Sequence, residues 1–334
     1  MSGSPATSTP LKIGVIDDYS DGFRKASTYG QLAPHQATVF SDTIKDPAQL
    51  AARLQGFNAL VLTQQRSRIT RDLLARLPQL KLISQTGNHT AHIDLPACTE
   101  HGIAVCAAGG GRSHATAELT WGLIFALLRK IPYEVERLKS GHWLSTIGVT
   151  VRGKTLGIYA FGNIGSLVAD AGRAFGMKVI CWGREGSLAR AREKGYAIAA
   201  SREAFFAESD IVSLHIPLND TTRGIVTAAD LARMKPSAVL VNTSRAPLIA
   251  TGALEDALTK GRPGFGAIDV YEEEPVLGAN HPLLKMPNVL CTPHLGYVVE
   301  SSLESFYTTA IENLLAFGRG QPVNVKNPEA LAKR

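Results

Sequence analysis

The sequence predicts an α/β fold of two doubly wound parallel sheets, and three observations lead to that prediction. Short runs of β-branched and aliphatic residues alternate with helical stretches along nearly the whole chain, which is typical of parallel sheets covered by helices. A second series of such runs begins at Gly153, after one long helical stretch at residues 115–130. The length of 334 residues also suits about two domains.

The first series predicts one sheet. Its strands are residues 11–16, 35–40, 59–62, 80–84 and 103–106. Helical stretches lie between them at residues 47–54, 70–77 and 95–101. Because a crossover helix joins neighbouring parallel strands, this order predicts a parallel sheet for the first series.

The second series predicts another sheet and an inserted domain. Its strands are residues 155–160, 178–182, 210–216, 238–242, 264–270 and 289–291, with helices between them at, for example, 164–175 and 250–259. A last helix, residues 300–317, is expected to return to the first unit. Residues 1–110 and 299–334 would then form a discontinuous outer domain, and residues 111–298 the inserted one.

Composition excludes several classes of protein. Hydrophobic residues make up 45% and charged residues 19%, a globular balance that excludes disordered and fibrous chains. The net charge of +6 is diffuse, and no basic run is interleaved with aromatics, so no nucleic-acid partner is expected. The apolar stretches are too short to cross a bilayer, so no membrane association is expected either.

Cysteine usage and the first residues indicate a cytoplasmic protein. Cys98, Cys106, Cys181 and Cys291 show neither CxxC nor metal-ligand spacing, which favours reduced thiols and no metal site. The first ten residues are small and polar and lack the basic start and apolar core of a signal peptide. We expect them to form a disordered tail.

A glycine-rich loop follows the first strand of the second series. The strand runs directly into Phe161-Gly162-Asn163-Ile164-Gly165 and then a helix, the context in which such loops bind pyrophosphate. The helix N-terminus would supply N–H donors there. Ala160 stands where the G-x-G-x-x-G pattern has its first glycine, and a tight turn without a nucleotide is the alternative. The candidate cofactor contacts are Gly162, Asn163, Ile164 and Gly165.

The end of the next strand bears on the type of cofactor. An NAD site usually has Asp or Glu there to hold the ribose diol, whereas this strand ends in Gly183-Arg184-Glu185. A small residue followed by Arg suits a ribose 2′-phosphate, because guanidinium pairs with phosphate. The sequence therefore favours NADP over NAD. In the alternative interpretation Arg184 is solvated and Glu185 holds the ribose.

Three segments, each following a predicted strand, resemble the D-isomer-specific 2-hydroxyacid dehydrogenase family. They are residues 241–245 (VNTSR), 268–275 (IDVYEEEP) and 291–296 (CTPHLG). The resemblance covers nearly the whole chain. Within the family, the chain is similar to glyoxylate/hydroxypyruvate reductases or to short phosphoglycerate dehydrogenases. It implies a flavodoxin-like substrate domain around a Rossmann-like dinucleotide-binding domain, and usually a homodimer.

The resemblance implies a catalytic set of Arg245, Glu274 and His294. Arg245 would bind the carboxylate and carbonyl oxygens of the substrate through its fork of donors. His294 would be the acid in reduction and the base in oxidation, since imidazole titrates near neutrality. Glu274 would hold His294, because the family's Glu directly precedes the proline; Glu273 is the next choice if that alignment slips.

Further residues are assigned by the same resemblance. The implied cofactor contacts are His215, Pro217 and Thr222 on the adenine side, and Thr243, Ser244, Asp269 and Gly296 around the nicotinamide. Asp269 would accept from the carboxamide, or else cap the following turn. The loop of Gly87, Asn88 and His89 would grip the substrate carboxylate, although it departs from the family's usual string. Gln85 and His89 either add contacts there or face solvent.

The predicted activity is hydride transfer between NADP(H), or NAD(H), and a small 2-oxo or 2-hydroxy acid such as glyoxylate or hydroxypyruvate. One alternative is a nucleotide-binding scaffold or corepressor-like protein of the same fold. Another is a phosphite-dehydrogenase-like enzyme, because such enzymes keep the same Arg, Glu and His. Trp121 and the apolar face of residues 119–128 belong either to a dimer surface or to the core. Hinges are expected near residues 109–111 and 297–300.

Overall fold

The computed structural model describes residues 10–33, 35–109 and 113–333. The chain divides into two compact units, residues 1–111 with 299–334 and residues 112–298. The expected tail at the N-terminus, apart from Pro10, and the expected hinge glycines Gly110 and Gly111 lie outside the described residues.

Twelve strands and twelve α-helices occur within the described ranges. The strands are β1 (Lys12–Ile16), β2 (Gln36–Val39), β3 (Ala59–Leu62), β4 (Leu82–Thr86), β5 (Ala104–Ala108), β6 (Thr155–Tyr159), β7 (Lys178–Trp182), β8 (Ala197–Ile198), β9 (Ile211–Leu214), β10 (Val239–Asn242), β11 (Phe265–Ile268) and β12 (Val289–Cys291). The helices are α1 (Gly22–Lys25), α2 (Pro47–Leu54), α3 (Arg71–Leu74), α4 (Leu95–Glu100), α5 (Ser113–Leu128), α6 (Ile131–Lys139), α7 (Asn163–Ala174), α8 (Glu185–Glu193), α9 (Arg202–Glu208), α10 (Ala228–Arg233), α11 (Ala253–Thr259) and α12 (Glu300–Gly318).

The first unit contains a five-stranded parallel sheet in the order β2-β1-β3-β4-β5. Aliphatic strand residues such as Ile13, Val61 and Leu82 are fully buried, so the strands have continuous apolar sequences rather than alternating ones. Helix α12 packs on this sheet: the hydroxyl of Ser84 donates to the carbonyl of Ala310 at 3.2 Å. The last helix therefore belongs to the first unit.

The second unit contains a seven-stranded parallel sheet in the order β12-β11-β10-β9-β6-β7-β8. Chain order reverses between β6 and β9. In doubly wound sheets ligands bind outside the carboxyl ends of the strands at such a reversal. The loops after β6, β9, β10, β11 and β12 all leave from those carboxyl ends.

The predicted fold class of two doubly wound parallel sheets is confirmed. Several strands pair over fewer residues than predicted; the run at residues 210–216 pairs only over β9, where Leu214 meets Asn242. The sequence analysis did not predict β8, because two residues make no recognisable run. Nor did it predict α6, which buries no residue and leaves its apolar side chains exposed instead of packing them on a core. In the described parts of the chain no helix is long and apolar enough to cross a membrane.

Candidate active site

His294 and Glu274 form a direct pair in the second unit. The Nδ1 of His294 lies 2.5 Å from Oε2 of Glu274, and both side chains are mostly buried. The other oxygen of Glu274 accepts from the backbone N–H of Tyr271 at 3.0 Å, so the carboxylate is fixed at both ends. Glu272 instead contacts His281 at 3.1 Å. The pair leaves Nε2 of His294 as the nitrogen that can exchange a proton with a ligand.

Asp269 anchors the loop that carries His294. This loop, residues 292–296, follows β12. One oxygen of the Asp269 carboxylate accepts from the Thr292 hydroxyl at 2.6 Å and from the Leu295 N–H at 2.7 Å, and the other accepts from the Gly296 N–H at 2.9 Å. Burial raises the pKa of Asp269, against the opposing effect of these donors. Sequence analysis assigned Asp269 to the cofactor and missed its role as an anchor of this loop.

His294 occupies the left-handed region of backbone conformation, with φ at 55°. A non-glycine residue there is uncommon and costs about 1 kcal/mol or more. An ideal Cβ on Gly296 would lie 3.3 Å from the Asp269 carboxylate, so Gly296 suits this close approach. The contacts of Asp269 therefore hold a turn that the local sequence would not adopt by itself.

Arg245 follows β10 and is half-buried. Its Nη1 donates to the carbonyl of Ser244 at 2.7 Å. The side chain of Asn242 holds the turn, since its amide donates to the Arg245 carbonyl and its oxygen accepts from the Ser244 N–H, each at 3.0 Å. Arg245, Asp269 and His294 thus follow three adjacent strands, β10, β11 and β12.

The glycine loop, residues 160–165, has the geometry that a dinucleotide site needs. An ideal Cβ on Gly162 would meet no described atom within 4 Å, so the first turn of α7 is open to a ligand. A Cβ on Gly165 would lie 2.4 Å from the carbonyl of Ala160, so only glycine allows this helix–strand approach. Ala160 has φ at 75°, a conformation that glycine adopts without strain. The loop fits a pyrophosphate at the N-terminus of α7 despite Ala160.

Two residues of α8 hold the glycine loop and were not found from the sequence. The hydroxyl of Ser187 accepts from the Phe161 N–H at 2.6 Å, and Nε of Arg190 donates to the Phe161 carbonyl at 3.2 Å. At the start of α8, Glu185 is paired with Arg192 at 2.6 Å, while Arg184 is exposed. Glu185 is therefore held by its own helix.

The residues assigned to the adenine side form a compact turn after β9. The hydroxyl of Thr222 donates to the Pro217 carbonyl at 2.7 Å, and Nε2 of His215 lies 2.9 Å from the Ser213 hydroxyl. Burial lowers the pKa of His215 to about 3, so the ring is neutral at pH 7. Its Nδ1 is buried and has no hydrogen-bond partner among the described residues, an arrangement that a ligand donor or acceptor would satisfy.

Thr243 and Ser244 are also tied into the protein. The hydroxyls of Thr243 and Thr120 lie 3.0 Å apart, which links the end of β10 to α5. The hydroxyl of Ser244 donates to the carbonyl of Leu214 at 2.7 Å, which links it to β9. These two residues therefore fix the carboxyl ends of neighbouring strands.

The candidate substrate loop, made of Gly87, Asn88 and His89, follows β4 in the first unit. Gly87 has φ at 82°, and both Asn88 and His89 are exposed. Gln85 is only 1% exposed, and its amide donates to the carbonyls of Gln64 at 2.9 Å and Thr86 at 2.8 Å. Of the two open interpretations for Gln85, solvent exposure is therefore wrong.

Metal and thiol chemistry receive no support from the described residues. No group of three or more His, Cys, Asp or Glu side chains among them could hold a metal ion. None of the four cysteines forms a disulfide, and burial raises the pKa of both Cys98 and Cys181 to about 12. These two thiols are therefore unreactive at neutral pH.

Comparison with known proteins places the second unit in a family. The profile described as "D-isomer specific 2-hydroxyacid dehydrogenase, NAD binding domain" matches residues 121–296. A glyoxylate reductase from Aeropyrum pernix is 39% identical over 277 residues, which are 80% of this chain and 82% of that protein. A D-3-phosphoglycerate dehydrogenase from Bacillus subtilis is 34% identical over 294 residues, 86% of this chain but 55% of that longer protein.

Solved structures agree with these relatives over both units. The crystal structure of a phosphoglycerate oxidoreductase from Vibrio cholerae O395 is 47% identical, with a TM-score of 0.89. The match covers 93% of this chain and 99% of that one. The likeness therefore extends beyond the part that the family profile matches.

Proposed function

Because the chain belongs to the D-isomer specific 2-hydroxyacid dehydrogenase family, we propose that it transfers a hydride between NADP(H) and a small 2-oxo or 2-hydroxy acid. The coarser activity follows from the family: the chain is an oxidoreductase acting on CH–OH donors, with an NAD-binding domain. The observation that carries the proposal is the pair of His294 and Glu274 at 2.5 Å. These two residues follow β12 and β11, and β11 pairs with β10, the strand that presents Arg245. Glyoxylate and hydroxypyruvate are the substrates proposed first.

The chain's own residues would supply binding and proton transfer. The guanidinium of Arg245 would bind the carboxylate and carbonyl oxygens of the 2-oxo acid. His294, with Nδ1 held by Glu274, would give its Nε2 proton to the carbonyl oxygen during reduction and take it back during oxidation. The nicotinamide, when bound, supplies or accepts the hydride. Glu274 would stabilise the imidazolium and prevent the ring from turning.

The direct test is turnover of a panel of 2-oxo acids with NADPH and with NADH. The rate is measured from the loss of absorbance of the reduced nicotinamide. Reduction of glyoxylate or hydroxypyruvate would support the proposal. Nicotinamide binding without turnover of any acid in the panel would contradict it and favour the scaffold. Phosphite oxidation by the same preparation would favour the phosphite-dehydrogenase-like alternative instead.

The NADP preference rests on the residues after β7. Gly183 has φ at 153°, Arg184 is exposed, and Glu185 is paired with Arg192 at 2.6 Å. A carboxylate held by Arg192 is not directed to a ribose diol, whereas an exposed guanidinium can pair with a 2′-phosphate.

We expect Arg184→Ala to weaken NADPH binding by about 10- to 100-fold, because it removes a charge-assisted contact worth about 1.5–3 kcal/mol. NADH binding should change by less than twofold. Fluorescence titration measures both constants, and Lys194→Ala, an exposed position at the end of the same helix, is the matched control for loss of charge. Equal weakening of NADH and NADPH would refute the 2′-phosphate contact.

A homodimer is also proposed, through a surface that sequence analysis did not identify. Trp121 is only 7% exposed, and its indole donates to the Val168 carbonyl at 3.2 Å, so it belongs to the core. Most of the exposed large apolar side chains described in this unit lie instead on α6 and on the segment after it. This apolar surface comprises Ile131, Tyr133, Val135, Leu138, Trp143, Leu144, Ile147 and Val149.

The most exposed side chains of that surface are Trp143, at 85%, and Ile147, at 94%. Such a concentration of exposed apolar groups usually marks an interface. We expect the double change Trp143→Ser and Ile147→Ser to convert dimers to monomers, as measured by light scattering after gel filtration. Leu284→Ser, at another exposed apolar position of the same unit, should leave the mass unchanged. A double variant that remains dimeric would exclude this surface.

The four cysteines without a disulfide support a cytoplasmic location, since reduced thiols persist there. Fractionation of the native cells, with the protein recovered in the cytoplasmic fraction, would test this location.

A further inference from the structure

The segment that follows α12 is fixed along the edge of β5. Val325 forms an antiparallel bridge with Cys106, and the backbone N–H of Lys326 donates to the Val105 carbonyl at 2.8 Å. The buried side chain of Asn327 accepts from the Val105 N–H at 2.8 Å. These contacts set the position of Lys326 although it lies in a segment without regular secondary structure.

Lys326 reaches the candidate substrate loop. Its Nζ donates to Oδ1 of Asn88 at 2.6 Å, and both side chains are exposed. An ammonium group has three N–H donors, and this bond uses one of them. Asn88 thereby holds a positive charge directly beside Gly87, where the backbone turns with φ at 82°.

Arg66 follows β3, the strand next to β4, and the surroundings of its charge differ from those of Lys326. The guanidinium of Arg66 lies 5.0 Å from the centroid of the Tyr19 ring, and its charge acts on the buried carboxylate of Asp17. That carboxylate also accepts from the Ser67 hydroxyl at 2.7 Å. The positive charge of Arg66 is thus opposed by a nearby acid, whereas that of Lys326 is held by a neutral amide.

We propose that Lys326, held by Asn88, is a specificity-determining residue that binds the carboxylate of the 2-oxo acid at this loop. The inference rests on the proposed function and deepens it. Backbone N–H groups of a glycine turn offer dipoles to an anion but no net charge. Lys326 would supply that charge, so the loop would favour small acids with a free carboxylate over esters or amides of the same acids.

The test is steady-state kinetics of Lys326→Gln with the best 2-oxo acid of the panel. We expect KM for the acid to rise about two- to fivefold, the range for one exposed ionic contact, with kcat within twofold and KM for the cofactor unchanged. Raising the salt concentration should raise KM of the wild type more steeply than that of the variant, because the variant keeps only the ionic contact with Arg245. Lys326→Arg should restore most of the affinity.

Two controls make the result specific. Lys333→Gln removes the same charge from the same terminal segment, near Gly102 at the opposite end of β5, and should leave KM unchanged. Asn88→Ala should raise KM by less than Lys326→Gln, and the two changes should be non-additive in a double-mutant cycle, because one residue positions the other.

Binding of oxamate, an unreactive analogue of small 2-oxo acids, gives a readout besides turnover. Calorimetry in the presence of the reduced cofactor should show the same two- to fivefold loss of oxamate affinity for Lys326→Gln. Equal KM and equal oxamate affinity in wild type and Lys326→Gln would overturn the inference while leaving the proposed function intact. If the wild type turns over no 2-oxo acid and binds no oxamate, the proposed function and the inference fail together.

Discussion

Replacing His294 by Asn is expected to lower kcat by about 10³-fold, within the 10²- to 10⁴-fold range for loss of a general acid–base group. Asn is chosen because His294 has φ at 55°, and Asn tolerates the left-handed region better than most residues. The amide cannot donate a proton at neutral pH, so the carbonyl oxygen would have to take its proton from water. Steady-state reduction of the best 2-oxo acid measures the effect.

The control for this variant is cofactor binding. The glycine loop proposed to bind the pyrophosphate follows β6, and three strands separate β6 from β12 in the sheet. The NADPH dissociation constant should therefore stay within twofold of the wild type. The midpoint of thermal unfolding should change little, because the Asp269 contacts to Leu295 and Gly296 remain. A kcat of His294→Asn within tenfold of the wild type would show that His294 is not the general acid and base.

The second large effect is expected for Asp269→Asn. The carboxylate accepts from Thr292, Leu295 and Gly296, and an amide at this position has one oxygen rather than two. Its NH₂ group would face either Gly296 or Leu295, and a buried N–H would lose its acceptor. We expect the free energy of unfolding to fall by about 2–3 kcal/mol. This is the cost of leaving one buried N–H donor without the carboxylate oxygen that accepted from it.

That loss should lower the midpoint of thermal unfolding by about 5–10 °C for a unit of this size. It should also lower kcat more than tenfold, since the loop that positions His294 is no longer fixed. Calorimetry and steady-state kinetics on one preparation measure the two effects together. Asp220→Asn, an exposed position with the same change of charge, is the matched control. A stable and fully active Asp269→Asn would mean that other contacts hold the loop.

Much of the second unit was predictable, because its signals are local. The apolar run of β6, Gly162 and Gly165 follow one another within ten residues, and their order alone implies a strand, a turn and a helix. Boundaries were less predictable. The end of a strand depends on where its pairing with the neighbouring strand stops, as at Leu214 opposite Asn242. The sequence of one strand alone does not show that position.

The candidate site was only partly predictable. Family resemblance selected Glu274 by its position before a proline, and the structure brings that residue, among three consecutive glutamates, to His294 at 2.5 Å. The cofactor role that the resemblance implies for Asp269 stays a prediction. Its contacts with Leu295 and Gly296 show that it also anchors the loop, which the sequence did not indicate. The direction of a side chain in an irregular turn depends on the hydrogen-bond donors around that side chain. For Asp269 these donors come from a segment more than twenty residues further along the chain.

The sequence by itself determined the alternation of strands and helices, the glycine turn, and the presence of Arg245, Asp269 and His294 after successive strands. Those features depend on residues near one another in the chain, whose periodicity and steric limits act locally. Tertiary structure decided the burial of Trp121 and the meeting of Lys326 with Asn88, two residues separated by 238 positions. Contacts across such a separation depend on how strands pair and how a terminal segment follows a sheet edge, and local propensities do not specify either.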